Sequence, residues 1–261
     1  MEIELIPRQT SGAVVTQTPR GWKLEIPGGT RQNYRLAQLD DYSNLNRNRF
    51  QHVPPWSIQM RARVSENNLP GTWGFGLWND PFGFSIGFGG VKAKLPALPQ
   101  AVWFMHASPP NWLSFRDEPM PGWNHIIPSN GFFAGTFRSR RIPSFVFVPP
   151  LLALPLFDLK PTSRILRRLA SKLIFQDGIG IDINVTQWHE YSIHWLEEGC
   201  MFTMDGTELL VTPVSPYPPL GLTIWIDNQF AAWTPEGRLG YGKLENQFAW
   251  LEIENLVYRR E

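Results

Sequence analysis

A chain of 261 residues, 43% of them hydrophobic, suits one all-β sandwich and carries enough apolar material for a large core. With 24 Lys and Arg against 23 Asp and Glu the net charge is +1, which excludes a molecule-wide field that gathers nucleic acid or an anionic membrane. The single cysteine, Cys200, excludes an intramolecular disulfide, and 24 prolines argue against a helix bundle.

The N-terminus, MEIELIPRQT, has acids where a signal peptide has a basic and then an apolar run, so a cytoplasmic protein is expected. No window reaches the roughly 18 uninterrupted apolar residues of a spanning helix. Strand-like alternation starts with SIQMRARVS and sharpens in TWGFGLW. At period two, Trp73, Phe75 and Leu77 share one face, while Thr72, Gly74, Gly76 and Trp78 share the other. GFSIGFG at 83–89 repeats the split between a greasy face and a glycine face. Glycine inside a strand often marks close approach by a ligand or by another backbone. The expected reading is a cleft floor with Trp78 at its end.

AVWFMHA follows as the next strand, and charge then gathers. Residues 138–172 hold eight bases against Asp158 alone. Within 138–175, PTSRILRRLASKLIF has helical period: Ile165, Leu166, Leu169, Ala170, Leu173 and Ile174 fill one half of the wheel, bases the other, and Thr162 or Ser163 serves as N-cap. This insertion has three readings: a helix docked on the outer sheet, a lid over the cleft, or a cationic surface on 160–174 for a membrane or partner. IGIDINV, EYSIHWLE, CMFTMDG, TELLVT, LGLTIWID and AWLEIENLVY complete the strands, with Asp205-Gly206 a hairpin turn. No long-period repeat or linker is visible, so residues 1–261 read as one β domain carrying the 138–175 insertion.

RARVSENNLPGTWGFGLWND resembles the strand and Gly-x-Trp segment of family 16 glycoside hydrolases, the laminarinase and lichenase type. QWHEYSIHWLEEGCMFTMDGTELL is similar to that family's His-x-Tyr-x-x-x-Trp … Phe-x-x-Asp-Gly hairpin, and PPLGLTIWID and WLEIENLVY to its last strands. The resemblance covers about 56–110 and 186–258. It implies an all-β fold: a concanavalin A-like jelly-roll sandwich of two antiparallel sheets, with a short helical insertion and a ligand groove across the concave sheet. The family's retaining chemistry also needs carboxylates on alternate positions of one strand, about 5–5.5 Å apart. On PQAVWFMHAS those positions fall on Ala101, Trp103 and Met105 or His106, so the usual catalytic pair is missing.

Two acids are candidates to replace it. Asp80 and Asp227 follow Trp78 and Trp225 at groove parity, with His106 a candidate base; a hydrolase or lyase with relocated acids would use them. Against this, Asn79-Asp80-Pro81 and Asp227-Asn228 are turn sequences. Trp78, Trp103 and Trp225 come from three strands and share groove parity. The leading expectation is therefore binding of a carbohydrate or glycoconjugate, the indoles stacking on sugar C–H faces while Asn79, Asp227 and His106 offer hydrogen bonds. Met105 beside Trp103 makes the floor less polar, which keeps an apolar small molecule under a lid as an alternative. No His or Cys spacing suggests a transition metal, and no cofactor is expected. A structural calcium, which families of this kind sometimes hold near the N-terminal strands, is not legible in DDY at 40–42 alone.

Overall fold

The computed structural model describes residues 4–10, 12–81, 95–116, 125–143 and 160–260; GFSIGFG lies outside the described residues. Two seven-stranded antiparallel sheets stack as a jelly-roll β-sandwich. The first sheet runs, in spatial order, β1 (Ile6–Gln9), β4 (Leu36–Asp40), β13 (Gly221–Asp227), β6 (Thr72–Trp78), β7 (Ala101–Ala107), β8 (Gly131–Ser139) and β9 (Ile174–Gly180). The second runs β12 (Thr207–Thr212), β11 (Cys200–Met204), β10 (His189–Trp195), β5 (Trp56–Val64), β16 (Ala249–Arg260), β3 (Gly21–Ile26) and β2 (Val14–Thr18). A small hairpin, β14 (Gln229–Trp233) and β15 (Leu239–Lys243), follows β13.

Alternation builds the core. Trp73, Phe75 and Leu77 of β6, Val102 and Phe104 of β7, and Leu222, Ile224 and Ile226 of β13 meet Ile58, Met60, Tyr191, Ile193, Leu251 and Ile253 of the second sheet. Burying each such side chain stabilises the fold by about 1.5–3 kcal/mol, so the strand faces are strongly specified. Asp205 (φ 49°) and Gly206 (φ 77°) both occupy the left-handed region that a two-residue hairpin between β11 and β12 requires.

The sequence pattern misplaces two elements. The strand expected at 179–185 is β9, paired with β8 from Ile174 to Gly180; Ile174 is therefore a strand residue and not part of the helix. That helix, α1 (Lys160–Leu173), is also turned from its expected orientation. Ile165 and Leu169 are 58% and 50% exposed, whereas Ser163 and Arg167 are buried. The cause is polar. Arg167 donates from Nε to Trp233 O (2.7 Å) and from Nη2 to Ser114 O (2.8 Å), and Ser163 Oγ accepts from Trp233 Nε1 (2.9 Å). Satisfying carbonyls of two neighbouring segments fixes the rotation that apolar periodicity alone leaves to Leu169.

The helix packs on the side of the first sheet that faces away from the core. Ala170 and Phe115 join Ala101, Phe137 and Ile174, and Gln176 Nε2 donates to Ser114 Oγ at 2.8 Å. Together with 108–116 and the β14–β15 hairpin, α1 roofs the β8–β9 half of that face. Among the described residues no helix is long and apolar enough to cross a membrane.

Candidate functional site

The ladder registers fix which side chains share the outer face of the first sheet. Trp78 pairs with Ala101 and Gly221, Gly76 with Trp103 and Thr223, and Gly74 with Met105 and Trp225. Partners across a ladder point the same way, so Trp78, Trp103 and Trp225 all leave the core side. They meet. Ring centroids lie 6.2 Å apart for Trp78–Trp103 and 5.8 Å for Trp103–Trp225. Phe137 extends the row, its ring 5.9 Å from that of Trp103.

The glycine face is not left bare. A Cβ on Gly74 would lie 2.9 Å from Trp225 Cη2 and 2.4 Å from Phe104 O, and one on Gly221 would lie 2.4 Å from Tyr42 Cδ1. The glycines make room for the chain's own rings, which pave the floor. This corrects the expectation of a stripped cleft.

Two indoles are tethered through nitrogen. Trp78 Nε1 donates to Tyr42 Oη (2.6 Å), and Trp225 Nε1 donates to Thr72 Oγ1 (2.9 Å), whose hydroxyl donates to Asp227 Oδ1 (2.8 Å). Trp103 Nε1, between them, is shielded from solvent and makes no hydrogen bond among the described residues. A buried donor left unpaired costs about 1–3 kcal/mol. Trp78 and Trp103 remain partly open to solvent, while Trp225 is buried.

The other site candidates fare differently. Met105 is on the expected face but buried with Phe133, Trp225 and Leu113, so chain already covers it. Asn79 is committed: its Nδ2 donates to Leu98 O (2.9 Å) and its Oδ1 accepts from Gln100 N (3.0 Å). Asp227 accepts from Thr72 N, Thr72 Oγ1, Gln229 N and Tyr34 Oη. Burial raises its pKa to about 6 despite those donors. His106 points the other way. It stacks on Trp73 in the interior (5.8 Å between ring centroids, 13° between planes), and burial lowers its pKa to about 4. It is neutral at pH 7 and outside the groove, which corrects its assignment as a groove base or donor.

Asp80 and Asp227 do not form a pair. Thr72 pairs with Asp227 at one end of the β6–β13 ladder, and Asp80 lies two residues past Trp78 at the other. At about 3.3 Å per residue they stand roughly 25 Å apart, against the roughly 6.5–9.5 Å of an inverting pair. Asp40, which pairs with Thr223, is the other acid on this face among the described strands, four positions along β13 from Asp227 and so about 14 Å away. Neither spacing places a nucleophile and an acid on one glycosidic bond.

Sequence reading missed the polar border beside Trp225. Gln38, Asp40 and Tyr42 alternate on β4 and just past it, and Arg8 of β1, opposite Gln38, reaches diagonally to Asp40 with Nε 3.7 Å from Oδ2. Gln38 Nε2 donates to Asp40 Oδ2 (2.7 Å), and Tyr42 N and Ser43 Oγ donate to Oδ1. Tyr34 and Tyr42 have pKa values raised by burial and then by Asp227 and Asp40 respectively, so both phenols stay protonated. The signal was available: QLDDY carries the same period of two that exposed the tryptophans. Asp40 is held by these donors, and Asp41 by His52 Nε2 (2.5 Å) and Leu222 N (2.9 Å). No group of three metal-ligating side chains assembles among the described residues.

No protein-family model matches the chain, and no curated protein does. It is similar in structure to a legume lectin-like domain from Entamoeba histolytica, with 9% identity, TM-score 0.43, and coverage of 97% of this chain and 90% of that one. It is also similar to a Bacteroides ovatus mixed-linkage-glucan family 16 hydrolase in complex with its product, with 10% identity, TM-score 0.44, and coverage of 95% and 86%. An alginate lyase in complex with dimannuronate gives 11% identity, TM-score 0.41, and coverage of 91% and 73%.

Proposed function

We propose that the protein binds a carbohydrate on the outer face of its first sheet, with Trp78 and Trp103 as the stacking surface and Trp225 as their buried support. The observation that carries this reading is the unbroken indole row, 6.2 and 5.8 Å between successive centroids, on the face away from the core. Sugar rings offer flat C–H faces to indoles, and the solvent-open parts of Trp78 and Trp103 can receive them. Arg8 and Tyr34, both half-buried at the border, add polar contacts on the β1–β4 side.

Catalysis by Asp80 and Asp227 has no support in their separation. An apolar ligand is disfavoured because Leu113 and Phe133 already enclose Met105. Titration calorimetry with oligosaccharides tests the proposal. Trp103→Ala is expected to weaken binding at least tenfold, and Trp78→Ala by a similar factor, while the intact protein binds. Silence of the intact protein across a broad glycan array overturns the reading; native mass spectrometry showing a co-purified lipid would replace it with the apolar one.

A further inference from the structure

Where β6 ends and β7 begins, an open depression of about 210 Å³ adjoins the indole row. Leu98 belongs to both, packing with Trp78 and Phe137 on one side and lining the depression on the other. The floor is saturated. Asn79 is committed as described, and Gln100 donates from Nε2 to Ser139 O (2.7 Å) while its Oε1 accepts from Ser139 N and Tyr217 N. Recognition therefore falls to the rim.

That rim is cationic: Arg47, Arg140 and Arg141 line it with Tyr217, and no carboxylate lines it among the described residues. Arg47 is anchored through Asn79 O and Asp80 O, and the charge of Asp80 reaches it. Arg140 and Arg141 are exposed and add charge beyond that. The Arg141 guanidinium lies over the Tyr217 ring at 4.7 Å, and that of Arg138 lies 5.7 Å from the same ring. Stacking engages a guanidinium's face; Arg141 spends one edge N–H from Nη2 on Pro218 O (3.2 Å) and keeps the rest of its edge for an oxyanion. Arg138 and Arg141 share the Tyr217 ring while Arg47 and Arg140 line the same depression, so like charges gather there and an anion relieves their repulsion.

We propose that this depression receives an oxyanion carried on a sugar ring, a uronate carboxylate or a sulfate ester, so that the preferred ligand of the groove is an acidic glycan. This rests on the carbohydrate reading above and narrows it. The test compares a galacturonate oligosaccharide, a sulfated galactan oligosaccharide, a neutral galactose oligosaccharide of equal length and sodium sulfate alone, on the intact protein and on the Arg140→Gln/Arg141→Gln double variant. The expected result is at least a tenfold preference for one of the acidic oligosaccharides over the neutral one, declining with salt and lost in the double variant. Both arginines are exposed, so the variant's thermal melt should match the parent's. Equal binding of neutral and acidic chains overturns this inference and leaves the indole reading intact. Capture of sulfate with no oligosaccharide bound overturns it too, and silence toward every probe removes both.

Discussion

Tryptophans lie on two outward faces of the molecule, and their company differs. On the first sheet Trp78, Trp103 and Trp225 touch one another. On the second sheet Arg63 lies 4.7 Å from the Trp188 ring and 5.3 Å from the Trp250 ring, with Lys23 5.6 Å from Trp250 on its side and Arg61 5.2 Å from Trp188. Glu252 closes the arrangement, 2.7 Å from Arg63 Nη2. The same side chain thus serves two ends. Plated with cations it gives a wettable wall; gathered with its own kind it makes an apolar ridge, and ridges of that kind mark recognition surfaces.

The contrast can be broken in order of cost. Gly74→Val drives a side chain into Phe104 O and the Trp225 ring, and should destabilise by about 4 kcal/mol in denaturant unfolding, because backbone cannot yield as a flexible tip would. A loss below about 1 kcal/mol would show that the indole row is loosely held. Asp227→Asn tests the polar anchor under Trp225. Its folded pKa, about 6, exceeds the unfolded value, so the folded protein holds a proton that the unfolded chain has released between about pH 4 and 6. Stability is therefore lost as pH rises through that window, on the order of 2–3 kcal/mol. The asparagine keeps an acceptor for Thr72 and turns a donor toward Tyr34; its melting temperature should gain on the parent's from pH 4 to 7. A constant difference between the two would refute the assignment. On the opposite wall, Arg63→Ala should cost under about 1 kcal/mol, since the guanidinium is 36% exposed and solvent screens its pairings. A larger loss would mean that this wall is structural in the same sense as the ridge.

Much of this was readable from alternation alone. Parity on TWGFGLW, AVWFMHA and LGLTIWID sent the three indoles to one face, and the ladders bring them together. The same rule, applied strictly, separates Met105 from His106, because adjacent strand residues cannot share a face. What period two cannot show is occupancy. Glycines announce space, but whether a ligand or Trp225 fills it depends on a strand more than a hundred residues away. Asp227 and Asn79 are near the groove, yet their lone pairs and protons are spent on Thr72, Tyr34, Leu98 and Gln100, partners visible only once the chain is folded. The N-terminal strands IPRQ and LAQLD are short and polar, so little greasy alternation marks the period of two in QLDDY and the Arg8–Asp40 border went unread. In α1 the wheel was right in shape and wrong in aim, since two distant carbonyls outbid Leu169 for the inward position.

The nitrogen tethers on Trp78 and Trp225 have a kinetic consequence. Rings clamped at their polar ends keep their planes before any guest arrives, so docking freezes few torsions and forfeits little entropy. A carbohydrate bound as proposed should then meet the Trp78 plane already set, with association governed by encounter and discrimination expressed in how slowly it departs.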